Sequence, residues 1–594
     1  MQYTSKEVYE FVSKQSKDPI VEWKKCRLSW QEFPIYQSDL ESYDKISPVF
    51  EVSESYAKEF FERNSDLKDN FEYKDGKLKA KIPTPTLCPE ERERRRYAFR
   101  NENNLYKRKC DFSWKSIISM YSPDKEYKVF DQEFRRWDSR NPLDYWFSYT
   151  WNFKSDFSLL LKKTPVIGKF IIDGVNSSYT NHILRPKDSY LCFNSVGIED
   201  CMYMREWDRT KYCFNCDYVI RCEHCADCVQ CYDCFNTFNC LHCYNCSFCN
   251  DCEKCTDCHY CLDCYNIENK SYCINNVQYT KQEYEKMILS YKKNHKDTKI
   301  VLWCSQKWCE NSYWNDLTNC KNCSFFYESF DCSDSKYFNR QIQLENCMDL
   351  QWYYEQLTIE WISTTNSYHW WFMFYWDNNK ESWYYSNCYN CSNIFGCIWL
   401  KNKEYCILNK EYSKEEYNKL VPQIIAEMMR NYERGEFFDP KLSYYGYNET
   451  IAMDYYPLTK EDALNMWYKW SDYEAPAPKV EKIVLWANLP KVWCKVIQEK
   501  KPEFLQKIVN YAIICEVSKK PFRITKQEID FYVKHNLPIP TKHPDIRHQE
   551  RLKRKDPTTM HLIHCDECGE EMLSVHLPWK WKKILCEKCF YKEK

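Results

Sequence analysis

Glycine is almost missing from this chain: 8 of 594 residues, where about 7% is usual. A chain rich in turns has few other residues that take a positive φ without strain. Tryptophan, by contrast, occurs 23 times. Together the two anomalies predict that many tryptophan letters mark UGA codons which the organism reads as glycine. Net charge is lacking too, at −1, so no broad field draws the molecule to nucleic acid or membrane, and such a partner has to be met by a local patch. No run of about 18 uncharged apolar residues is present, and the opening MQYTSKEVYEFVSKQSK has no apolar signal core. The expectation is a cytoplasmic chain with no membrane partner.

Catalytic signatures are equally scarce. There is no G-x-G-x-x-G and no P-loop, even with Trp read as Gly: Trp114-Lys115-Ser116 mimics the end of one, but Lys109 fills its first glycine position. The 12 histidines are scattered and form no nucleophile–base set. The expectation is a protein that is not an enzyme.

What is abundant is cysteine, 38 residues. In a reducing compartment these are thiols or metal ligands, not disulfides. Cys494 and Cys88 fit no ligand spacing and read as small buried apolar groups. Cys565-x-x-Cys568 and Cys586-x-x-Cys589 have the spacing of a structural zinc ribbon, in which four thiolates leave no position open for water. Zinc at this one site is the only cofactor expected.

Two duplications organise the chain. Cys26-Arg-Leu-Ser29 aligns with Cys515-Glu-Val-Ser518, and Phe33, Ile35, Leu40 and Tyr43 with Phe522, Ile524, Ile529 and Tyr532. Farther on, Pro89, Arg92, Arg96 and Cys110 match Pro544, Arg547, Arg551 and Cys565, and Trp114 falls opposite Gly569. Ser113, Asp131 and Phe134 stand where the C-terminal copy has its other three thiols, so no zinc is expected there. In the middle, Cys264 to Asn276 repeats as Cys397 to Asn409. A capping box follows each, Thr280-x-x-Glu283 and Ser413-x-x-Glu416. Apolar helix faces come next: Tyr284, Met287, Ile288 and Tyr291, then Tyr417, Leu420, Ile424 and Ile425. A short helix from Thr459 to about Tyr468 precedes a stiff linker, Glu474-Ala-Pro-Ala-Pro-Lys479.

From Cys192 to Cys273 every cysteine falls on the same third residue, and the spacing recurs in a shifted frame at Cys320, Cys323, Cys332 and Cys347, and again at Cys388, Cys391, Cys397 and Cys406. A period of three is neither helix nor flat strand. It predicts a narrow solenoid with thiols inward and turns at the Asn and Asp that precede many cysteines. The alternative is a metal-storage or redox array, since Cys222-x-x-Cys225-x-x-Cys228 is part of an iron–sulfur pattern. The uniform register favours the ladder.

The fold class expected is therefore mostly β with capping helices: two cysteine-triplet β-solenoid-like blocks flanked by duplicated zinc-ribbon or treble-clef-like α+β modules. The segments are 1–150 (degenerate module), 180–300 and 301–435 (solenoids with capping helices), 436–505 (connector) and 506–594 (zinc-ribbon module). Basic clusters around Arg92, Arg95 and Arg96, and around Arg547, Arg551 and Arg554, suit RNA or DNA backbone contact. The interleaved Glu90, Glu91 and Glu93 suit a plain solvated helix face equally. Aromatic solenoid faces suit an extended protein partner.

Residues 83–92, 97–101, 121–125, 395–399 and 405–409 make the chain resemble a family of zinc-ribbon and cysteine-repeat proteins from uncultured, ultra-small bacteria. The resemblance spans nearly the whole chain. It implies glycine at Trp30, Trp114, Trp146, Trp399 and Trp467, and two further knuckles of which Cys26 and Cys88, and Cys515 and His543, are the remnants. Some members bear a CoA-transferase label that corresponds to no residues here, so the resemblance implies architecture and no activity.

Overall fold

The computed structural model describes residues 3–593 apart from 134–141, 147, 221, 226–245, 250–251, 253–254, 266, 289–298, 303–305, 308, 340–343, 350–354, 363–366, 375–378, 477–479, 491, 493, 556 and 579–581. Its centre is a β-solenoid stretch over residues 171–407. Parallel bridges join residues twelve apart, such as Ile171 with Ile183, Tyr190 with Met202, and Ser247 with His259, so one coil takes twelve residues. Each coil is built from triplets. The first residue points inward: Ile183, Cys192, Ser195, Ile198, Cys201, Met204, Cys213 and Cys216 are all buried. The third turns the corner in left-handed backbone, as at Asp188, Leu191, Asn194 and Gly197. Asn and Asp tolerate that conformation better than other side-chain-bearing residues, which is why they precede so many of the cysteines.

The shifted frames have a simple origin. Among the described residues two coils are one residue short: Glu310 bridges Lys321, and Leu344 bridges Glu355, each eleven places on. The first deletion moves the inward phase from that of Cys309 to that of Cys320, and the second moves it on to that of Cys388. Corner amides then stack between coils, with Asn322 Nδ2 2.9 Å from Asp334 Oδ1 and Asn390 Nδ2 2.7 Å from Asn402 Oδ1.

Each block ends alike. Asn276 and Asn409 take φ of 62° and bond both ways to the backbone of the previous coil, at Tyr265 and Ile398. The helix Lys414–Arg430 then buries Tyr417, Val421, Ile424 and Ile425, with Ser413 and Glu416 forming the expected capping box. The helix Lys281–Ile288 differs from expectation. It buries Tyr284 against Tyr272 but leaves Met287 and Ile288 exposed. Tyr291 lies outside the described residues. The connector helix is Lys460–Asn465, capped by Thr459; the last three residues of the proline linker lie outside the described residues.

The two ends of the chain cross over. Residues near the N-terminus pack on the second solenoid block: Tyr9 and Tyr36 meet Phe325 at 5.2 and 5.8 Å, and Asp39 accepts from the Tyr337 hydroxyl at 3.2 Å. The matching C-terminal residues pack on the first: Tyr532 meets Phe214 at 5.3 Å, and Glu528 accepts from the Tyr203 hydroxyl. Farther along each end the pattern inverts. Val129–Phe130 pairs in parallel with Val166–Ile167, which leads into the first block. Lys582–Leu585 pairs in parallel with Lys299–Leu302, which leads into the second. Each solenoid is thus held by one piece from each terminus.

Among the described residues no helix is long and apolar enough to cross a membrane.

Candidate metal centre

A short strand pair, His561–His564 with Glu571–Ser574, opens into a tight knuckle at Cys565–Gly569. Cys565 N–H donates to Glu570 O at 2.9 Å, and Gly569 N–H to Cys565 O at 3.0 Å. The turn requires φ of 73° at Gly569, a value that glycine takes freely. The other two thiols come from the end of strand Lys582–Leu585 and the first turn of helix Glu587–Glu593. Asp566 ties the halves together: its N–H donates to Ile584 O at 3.0 Å and its carboxylate accepts from Ile584 N–H at 2.6 Å.

The result brings Cys565, Cys568, Cys586 and Cys589 together with every sulfur within 4.8 Å of the others. Cys568 and Cys586 stand 3.6 Å apart. A tetrahedral ion with sulfur at about 2.3 Å sets its ligands about 3.8 Å apart, so this group can hold a metal ion. Three of the thiols are buried beside Ile563, Met572, Ile584, Leu585 and Phe590, and Cys568 faces solvent. Burial opposes ionisation of Cys565, yet the backbone N–H groups of Cys568, Cys586 and Glu567 draw its pKa down to about 6. It is the only such group of His, Cys, Asp or Glu among the described residues.

The knuckle geometry occurs four times. Trp30 N–H donates to Cys26 O at 2.9 Å, Trp114 to Cys110 at 2.9 Å, and Lys519 to Cys515 at 3.2 Å, each with positive φ like Gly569. The partner segments repeat as well: Arg27 N–H meets Thr86 O, Asp111 meets Val129 O, and Glu516 meets Thr541 O, at 2.9 to 3.1 Å. Two residues past those carbonyls lie Cys88, Asp131 and His543, in the place of Cys586. Asp131 and His543 turn only their N–H groups to the Cys110 and Cys515 sulfurs, at 3.2 Å each. Phe134 lies outside the described residues. Cys88 is buried, as its spacing indicated, and its Sγ lies 3.6 Å from Ser29 Oγ of the first knuckle.

The arginines correct the expected phosphate patch. Arg92, Arg95, Arg96, Arg547 and Arg551 are 3, 6, 1, 8 and 5% exposed. Arg92 Nε donates to Asp349 at 3.1 Å and Arg96 Nη1 lies 3.3 Å from the same carboxylate. Arg95 pairs with Glu436 at 2.8 Å, Arg547 donates to Asn215 at 2.8 Å, and Arg551 meets Asp217 at 2.7 Å. Arg92 and Arg547 also stack over the Tyr337 and Tyr203 rings, at 5.0 and 4.1 Å. Arg92, Arg96, Arg547 and Arg551 thus fasten the chain's ends to the solenoid, and Arg95 fastens the first cluster to the segment after the solenoid. Only Arg554, which is partly exposed and has interactions of its own, keeps some solvent access.

The solenoid thiols behave as donors. Cys192 Sγ lies 3.3 Å from Cys201 O, Cys249 3.4 Å from Cys258 O, Cys323 3.4 Å from Cys332 O and Cys397 3.4 Å from Cys406 O, always nine residues on. Burial pushes Cys192, Cys388 and Cys397 well above the usual thiol range. Cys228 and the rest of 226–245 lie outside the described residues.

No protein-family model matches the chain, and no curated protein is similar to it.

Proposed function

We propose that the chain is a non-enzymatic intracellular binding scaffold, with one structural zinc ion in the Cys565/Cys568/Cys586/Cys589 group and two thiol-packed solenoids as its frame. The carrying observation is the contrast between two kinds of thiol. Four converge at metal-ligand spacing, while the described thiols of the solenoid, apart from the half-buried Cys309, are buried, and those of Cys192 and Cys397 among them point to backbone carbonyls. Zinc suits a closed tetrathiolate and leaves no position for substrate. The other three knuckles are then copies of the same module that have lost their metal. A protein partner has a surface to meet in the stacked ladder of Phe248, Tyr260 and Tyr272, ring centroids 4.8 and 5.3 Å apart with Phe248 and Tyr260 exposed. Metal analysis of anaerobically purified protein tests this: about one zinc per chain supports the scaffold. Many zinc, copper or iron atoms overturn it in favour of a storage or redox array. Salt-sensitive retention on heparin or RNA would restore the phosphate reading that the buried arginines disfavour.

UGA recoding belongs to the same reading. Trp30, Trp114, Trp151, Trp399 and Trp467 all have φ between 58° and 67°. A bulky aromatic in that region is rare, and Trp114 occupies the turn position that Gly569 fills in the C-terminal copy. Trp146, expected with this group, has no positive φ.

A further inference from the structure

We propose that two copies of the chain pair through the cap helix of the first block, Lys281–Ile288, laid antiparallel about a two-fold axis. The two cap helices repeat each other: Lys281, Tyr284, Glu285 and Ile288 stand where the second has Lys414, Tyr417, Asn418 and Val421. In the second block one side of that helix is covered. Lys414 Nζ meets Glu51 at 2.7 Å, Asn418 Nδ2 donates to Glu51 O at 3.2 Å, the Tyr56 hydroxyl donates to Lys419 O, and Val421 is fully buried. The cover is the strand Val49–Glu51 and the helix Glu54–Arg63, both within residues 44–82. The C-terminal module docks on the first block as its N-terminal copy docks on the second, with Glu528 on Tyr203 as Asp39 is on Tyr337, and Arg547 over Tyr203 as Arg92 is over Tyr337. Yet it has no such cover. Residues 44–82 lie between Tyr43 and Pro83, whereas only 533–537 lie between their counterparts Tyr532 and Pro538.

The first cap helix is bare on the side that its repeat has covered. Lys281, Glu285 and Ile288 share that side, at i, i+4 and i+7, and all three are exposed. Glu283 is committed to the cap, where it accepts from Thr280 N–H at 2.9 Å. Neither Lys281 nor Glu285 has a partner of opposite charge among the described residues. Val277, in the hairpin of Cys273–Ile274 with Val277–Gln278 just before the helix, is exposed as well. This pattern is complementary to itself. With the axis beside Glu283, Lys281 faces the partner's Glu285, Glu285 faces the partner's Lys281, and each Ile288 reaches the partner's Val277. Such reciprocity is what a two-fold contact requires, and a parallel pairing would oppose like charges instead. A different protein shaped like residues 44–82 would bring a carboxylate to Lys281, as Glu51 does to Lys414, but would leave Glu285, which replaces Asn418, without a cation. A second copy supplies both. So few residues a side fall short of the about 20–30 of a standard interface, so the dimer is weak and depends on concentration.

The test is sedimentation velocity of the full, zinc-loaded chain from about 1 μM to about 1 mM, the range in which a small interface assembles. The expected result is a reversible monomer–dimer equilibrium. Ile288→Lys should raise its dissociation constant at least about tenfold, because the contact is lost twice per dimer. Lys281→Glu alone should weaken the dimer by setting carboxylates against each other, and Lys281→Glu combined with Glu285→Lys should restore it. All of these side chains are exposed, so the monomer's sedimentation coefficient should stay the same in every variant. A monomer at every concentration overturns the proposal. So does a dimer that Ile288→Lys leaves intact, a double reversal no stronger than the single one, or growth past the dimer into larger species.

Discussion

Replacing Trp114 with glycine should stabilise the protein, the reverse of what losing a tryptophan usually does. The residue sits in left-handed backbone at φ 58° and is 72% exposed, so little buried area is lost. Holding an L-residue there costs about 1–2 kcal/mol, and glycine gives back about 0.5–1 kcal/mol through its greater freedom when unfolded. The net gain is then about 0.5–1 kcal/mol for Trp114→Gly. Trp467→Gly should gain less, because Lys441 Nζ lies 4.1 Å from that ring and an exposed cation–π contact is worth about 0.5–1 kcal/mol. Trp399→Gly should also gain less: its indole N–H is buried with no partner among the described residues, which costs about 1–3 kcal/mol, but its ring packs against the core, and that burial, about 25 cal/mol per Å², is lost with it. The reciprocal control is Gly569→Ala. Nothing lies within 4 Å of the added Cβ, so only the backbone resists, by about 1 kcal/mol. Urea unfolding followed by far-ultraviolet circular dichroism measures all four. A loss of stability in Trp114→Gly, or 23 tryptophans by mass in the natively expressed chain, would refute the reasoning.

Chelation, or Cys589→Ser, should release the metal and loosen the pairing of Lys582–Leu585 with Lys299–Leu302. Hydrogen exchange there should rise while the coils around Cys388 to Cys406 stay protected; an unchanged rate would separate the metal from the fold. Arg92→Ala strips the buried Asp349 of its main partner and should cost about 3–5 kcal/mol, as broken buried pairs do; a change under 1 kcal/mol would mean that the carboxylate is not buried in solution. His182 is half-buried and stacked on Phe170, and loss of solvation, with Arg100 nearby, lowers its pKa to about 3. Its folded pKa lies below its unfolded one, so its stability is complete above about pH 6.5 and falls by up to about 1.4 kcal/mol per unit as the pH drops toward 3. His182→Gln should flatten that slope in pH-dependent unfolding, and an identical slope would reject the assignment.

The solenoid was legible because its rule is local: every third residue is inward, whatever lies far along the chain. The reason for the frame shifts was not. A coil one residue short leaves no mark in composition and becomes visible only when Glu310 is seen to bridge Lys321. The four thiols that could hold a metal ion were legible from spacing alone, since a metal's geometry restricts how its ligands can be spaced. The arginines were misread for the opposite reason. Whether Arg95 faces water depends on Glu436, which no pattern near Arg95 announces. Cys88 was half legible, as a remnant in the repeat, but its contact with Ser29 depends on the chain returning at Thr86 to the first knuckle.

The crossed ends dictate an order of assembly. The first solenoid emerges from the ribosome well before its cover: the residues that cover Tyr203, Asn215 and Asp217 belong to 528–551 and lie 325, 332 and 334 positions further along the chain. Until then, Tyr203 and Phe214 lack their cover and Asp217 its cationic partner, a condition that favours misassociation. Contacts this distant in sequence also close slowly, so newly made chains have a lasting need for shielding that a simple string of coils would not share.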